Sequence, residues 1–268
     1  MEKFSVRQLA NLFLTLALVG GALSGCQKKS ETAAPATPTP SVAAGTSLPQ
    51  PAPAITGPVT PALVQEGPNS ITHYLHFPKD AAASKLDGAV QFYCDITEEG
   101  MVETTHALVA NNDVFKGAVM EALDWGRFTP ATVNGKPVRV YLGGTVLFIH
   151  QGGKPVIVVS LATHDRDRVG KLANYIQPQL VGGLRRALQA EISTLTQGIV
   201  VSGQAEAVVS VDAKGAVTGT SGLSENPKGS GLGILLDSAV RKTQFLPAYE
   251  NGTPTAGGIN VVGNFARF

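Results

Sequence analysis

The chain has 268 residues, a net charge of +1 and only 15% charged side chains, with 30 glycines and 17 prolines. So even a balance gives no basic field of the kind that draws nucleic acid. A hydrophobic content of 43% suffices for one or two modest cores.

Residues 1–26 read as a processing signal. Lys3 and Arg7 form a positive start, Leu9 to Leu18 is nearly all apolar, and Leu23-Ser24-Gly25-Cys26 places small residues ahead of a cysteine. That ending resembles the bacterial lipobox, which implies acylation of Cys26 and a mature chain that begins there, bound to a membrane surface. Gln27, rather than Asp, follows the cysteine and favours the outer membrane over the inner one. The alternative is an uncleaved anchor, for which ~17 apolar residues are marginal against the ~20 that a span needs. Residues 27–69 are rich in Pro, Ala and Thr, with eight prolines between Pro35 and Pro61. Such a tract predicts a disordered, extended tether.

The next segment, 70–163, carries alternating and helical patterns in turn. Ala89 to Thr97 alternates as a strand, Thr97-Glu98-Glu99-Gly100 makes a turn, and Met101 to Val109 returns as a hairpin. Cys94 falls on the apolar face of the first strand with Val90, Phe92 and Ile96, which predicts a buried, unreactive thiol. Asn112 or Asp113 caps a helix whose apolar face is Phe115, Val119, Ala122 and Leu123. Trp125, Phe128 and Pro130 end it, Asn134-Gly135 is a turn, and Val138 to Ile149 is a further strand. Pro155 to Ala162 is strongly strand-like and is expected to pair with Val138 to Ile149, covering its edge.

Residues 164–268 repeat that order. Phe128-Thr-Pro-Ala-Thr-Val-Asn-Gly-Lys-Pro137 recurs as Phe245-Leu-Pro-Ala-Tyr-Glu-Asn-Gly-Thr-Pro254, with Pro130 opposite Pro247 and Asn134-Gly135 opposite Asn251-Gly252. Gly88 and Gly100 bracket the first strand, and Gly203 and Gly215 bracket its counterpart. Ala205, Ala207, Val209 and Val211 form one strand face. Leu232, Leu235, Leu236, Ala239 and Val240 form a helix face. Ile259, Val261, Gly263 and Phe265 form the inner face of a last strand, with Asn260, Val262 and Asn264 outward. A duplicated small domain explains all of these correspondences. Between the copies, Arg166 to Thr196 reads as helical in parts.

The order strand, turn, strand, helix, Trp/Phe-x-Pro-Ala, Asn-Gly, strand resembles the C-terminal domain of TonB, the energy transducer of bacterial outer-membrane transport. Phe77-Pro78 ahead of Gly88-Ala-Val90, and the block from Trp125 to Val138, carry the resemblance. Pro178-Gln-Leu-Val-Gly-Gly183 resembles the lead-in of such domains, while Lys242 stands where the second copy would have its Trp. The resemblance implies an α+β class: two tandem TonB C-terminal-like domains, each an antiparallel sheet with helices packed on one face. It also implies a binding function, in which the last strand accepts an extended segment of an outer-membrane receptor by strand addition. Ile259 to Phe265 is the expected receiving edge, because no later strand is expected to cover it.

Nothing in the residue pattern points to catalysis, a cofactor or a metal. His73 and His76 lack accompanying ligands at metal spacing, and no phosphate loop or nucleophile elbow occurs. Three readings follow. One is a non-enzymatic, lipid-anchored periplasmic protein that binds an envelope or outer-membrane transport partner. A second is a genuine energy transducer with a retained N-terminal helix, although no histidine occurs before His73 to couple it to a motor. A third is a structural envelope scaffold.

Overall fold

The computed structural model describes residues 52–172, 174–195 and 202–265. Cys26 and the signal segment lie outside the described residues. Within 52–69 the proline-rich tract is not a tether: it forms β1 (Val59–Thr60) and β2 (Leu63–Val64) and packs onto the body. Pairing with a partner strand, rather than any local apolar pattern, orders it.

After two short helices, α1 (Ile71–Tyr74) and α2 (Lys79–Ala83), the hairpin of β3 (Gly88–Ile96) and β4 (Val102–Ala110) appears where alternation places it. Its turn needs Gly100, which has φ +80° and whose Cβ would stand 2.0 Å from the Phe128 carbonyl oxygen. The Asn112 side chain accepts from the Val114 N–H and caps a 3-10 turn that leads into α3 (Lys116–Trp125). Phe115, Val119, Ala122 and Leu123 are all buried. The short strands β5 (Phe128–Thr129), β6 (Ala131–Val133) and β7 (Lys136–Val138) then lead to the long β8 (Val140–Gln151) and its neighbour β9 (Lys154–Ser160).

The second half repeats the list. It comprises β10 (Tyr175–Ile176), β11 (Gln179–Val181), α4 (Leu184–Ile192), β12 (Gln204–Val211), β13 (Val217–Asn226) and α5 (Leu232–Arg241). It closes with β14 (Phe245–Leu246), β15 (Ala248–Glu250), β16 (Thr253–Thr255) and β17 (Gly257–Asn264). Pairings match one for one. β4-β3-β8 corresponds to β13-β12-β17, β1-β6-β7 to β10-β15-β16, and β2-β5 to β11-β14. The strands β10 and β11 were not legible in the sequence, and neither were their counterparts β1 and β2. Each has only two or three residues, too few to show alternation.

The halves are not separate bodies. β11 pairs with β8 (Leu180 opposite Tyr141, Val181 opposite Val140) as well as with β14, so six strands from both halves form one sheet, with β9 on the same side of β8. One face of β3 and β8, with Phe92, Cys94, Val146 and Phe148, faces the first core. On the other face, Tyr93 and Tyr141 enter the second core with Leu188, Leu236, Val261 and Val262. Cys94 is fully buried, and burial pushes its thiol well above the ordinary range, as its strand position leads one to expect.

Candidate functional site

The docking capacity of a sheet lies in its unpaired edges, where N–H and C=O groups await a partner. Four long strands border the two large sheets, and they differ in how ready their edges are. The outer strand β4 carries extra residues against β3, with register shifts between Tyr93 and Cys94 and between Asp95 and Ile96. β13 is likewise bulged against β12, and Gly222 at φ +62° sits in one of these irregularities. Bulges twist an edge away from a straight incoming strand. β9, by contrast, pairs with β8 in unbroken register from Gln151 opposite Lys154 to Thr145 opposite Ser160. Among the described residues no strand pairs with its far side, and Val156 to Val159 there are half-buried. The seven residues of β9 are a regular, strongly β-forming edge.

β17 is the second regular edge, but something occupies it. It pairs with β12 without a register shift. On its far side the Tyr141 hydroxyl accepts from the Val262 N–H at 2.8 Å and donates to the Asn260 carbonyl at 3.3 Å. In an antiparallel ladder alternate residues turn both backbone groups outward, so the outward set of β17 is Gly258, Asn260, Val262 and Asn264. Val262 is 2% exposed. The inward residues Ile259, Val261, Gly263 and Phe265 are buried against α4 and α5. A strand added along Asn260–Val262 would have to displace Tyr141. Burial is the leading influence on that phenol and raises its pKa well above normal, so it holds the edge as a neutral hydroxyl. Tyr93 beside it is also raised by burial, to about 12.

A buried polar joint fixes this arrangement. The Asp95 carboxylate on β3 accepts from the backbone N–H groups of Leu184 (2.7 Å) and Arg185 (3.0 Å) at the start of α4, and from His106 Nε2 at 3.1 Å. A carboxylate at a helix N-terminus satisfies orphan donors and opposes the positive end of the dipole. Sequence reading missed Asp95, because the helix it caps lies 89 residues later. Nearby, Arg139 spans Glu98 and Glu103.

The repeated motif residues build turns and cores. Asn134-Gly135 and Asn251-Gly252 all have positive φ, as a two-residue hairpin turn requires. They join β6 to β7 and β15 to β16. Phe128 and Phe245 are fully buried. Pro130 and Pro247 stand at the breaks between β5 and β6 and between β14 and β15. Trp125 departs from this pattern and is 68% exposed at the end of α3.

Strand, hairpin turn, helix, Pro-break, Asn-Gly turn and a long closing strand are together one recognisable unit. Residues 73–149 match the family model described as Gram-negative bacterial TonB protein C-terminal. The TonB C-terminal match spans α1 to β8 and leaves out β1, β2 and β9. It makes this segment a TonB-like domain, of a periplasmic family that works by protein interaction rather than catalysis. No curated protein and no solved structure matches the chain.

Proposed function

We propose that this chain is a lipid-anchored periplasmic binding module with two TonB C-terminal-like repeats, 70–163 and 164–268, which docks an outer-membrane transport partner through a sheet edge. The observation that carries the reading is the TonB C-terminal match together with the regular, unpaired edge of β9. An extended receptor segment would gain backbone hydrogen bonds along Val156–Ser160, past Pro155, which has no N–H to donate, and selectivity from alternate side chains. The edge of β17, Ile259–Phe265, serves as a second recipient only after Tyr141 withdraws. Cys26 would carry the acyl chains and bind the chain to a membrane surface.

Titration of the full chain with extended peptides from outer-membrane receptors tests the docking claim. Amide shifts confined to β9 and its neighbour β8 support it. A flat response across the peptide set sinks it and favours an envelope scaffold. Labelling with a palmitate analogue tests the anchor separately: label on the wild type and none on Cys26→Ala supports it, and an unlabelled, uncleaved N-terminus supports the energy transducer instead.

A further inference from the structure

Beside the starting end of β17 lies a polar cleft of about 360 Å³, lined by Thr163, Arg168, Tyr175, Gln177, Glu250 and Gly258 among others. Its walls come from the segment after β9, from β10, from the end of β15 and from β17. Tyr175 and Glu250 are directly opposite each other across the β10–β15 pair, so both side chains rise from the same face. Burial raises the Tyr175 phenol first, Glu250 adds to the rise and Arg168 opposes it, which places both charges near the hydroxyl. Among the described residues, the Arg168 guanidinium and the Glu250 carboxylate form no ion pair, with each other or with another side chain. A cation and an anion thus share one cleft without neutralising each other.

The backbone adds a third feature. Gly258 belongs to the outward-facing set of β17 and is exposed, so its N–H and C=O open on the side where Tyr141 does not reach. The cleft volume lies at the small end of ligand pockets, which begin at about 300 Å³. We propose that this cleft binds a small zwitterionic peptide of dipeptide size, with its carboxylate on Arg168, its ammonium on Glu250 and its amide on the backbone of Gly258. Arg168 offers a planar fork that suits a carboxylate, and Glu250 accepts from an ammonium. The assignment is independent of partner docking at β9, which lies on a different edge.

Titration of the ¹⁵N-labelled full chain with glycylglycine provides the test. The expected result is a saturable shift of the Gly258 amide and weaker responses to N-acetylglycylglycine, which lacks the ammonium, and to glycylglycine ethyl ester, which lacks the carboxylate. Arg168→Gln and Glu250→Gln, both surface changes, should each weaken binding by roughly tenfold, the loss of one charge-assisted hydrogen bond. No saturable shift overturns the proposal, as does equal binding of the blocked peptides or unchanged affinity in both variants. Free glycine binding as tightly as glycylglycine would overturn the role of the Gly258 backbone.

Discussion

At the level of single residues, Tyr141 and His164 carry more than their places in the sequence suggest. Tyr141 reads in the sequence as one more strand residue, yet its hydroxyl closes the middle of a distant edge. Tyr141→Phe leaves the buried Val262 N–H without an acceptor, so the variant should lose about 1–3 kcal/mol, read as a lower urea midpoint. The same variant should expose the Asn260–Val262 edge, measured as faster amide exchange at Val262. His164 stacks on Tyr93 with ring centroids 4.7 Å apart. Burial lowers its pKa to about 4 from 6.5. The unfolded chain therefore takes up a proton below about 6.5 while the folded chain resists until about 4. Its contribution is intact above pH 6.5 and erodes by roughly 3 kcal/mol as the pH falls to 4. Unfolding of wild type and His164→Gln should show a shallower acid slope in the variant.

At the level of elements, the two halves set the same chemistry at the same turns. Gly100 and Gly215 have φ +80° and +84°, and an added Cβ would meet the carbonyl oxygens of Phe128 and Phe245 at 2.0 and 2.1 Å. Gly100→Ala and Gly215→Ala should each cost about 2–3 kcal/mol, measured by thermal unfolding. Equal losses would show that the copies retain one turn design. These hairpins, and the helices behind them, were legible because alternation and helical spacing are local signals. β9 was legible for the same reason, through its run of Val and Ile. What escaped the sequence was assembled across distance: β1 and β2 find their order against β6 and β5, β10 against β15, and β11 between β14 and β8. The cleft at Gly258 joins residues from 162 to 177 with others from 250 to 258 and had no local signature.

At the level of the whole molecule, the matching order of elements in the two halves was legible, but the joint between the halves was not. Asp95 caps a helix of the other half, β11 continues the first sheet, and Gln179 exchanges two hydrogen bonds with the backbone of Ala62. Shared buried contacts of this kind couple unfolding of the two halves. Native-state hydrogen exchange should therefore give the same opening free energy for the most protected amides of β3 and β12. Two distinct values, each insensitive to Asp95→Ala, would show that the halves open independently.

The entry of the described chain into the fold has a mechanical consequence. The Ala52 N–H donates to the Arg241 carbonyl, and the Pro53 carbonyl accepts from Gln244, so the leading segment first touches the second half. The Val59 carbonyl then accepts from the Tyr249 hydroxyl, while Val59 and Thr60 pair with β6 of the first half. A pull on the backbone at Ala52 would consequently load both halves at once. The clasp formed by residues 52–64 would peel before either large sheet sheared, acting as a sacrificial link under tension.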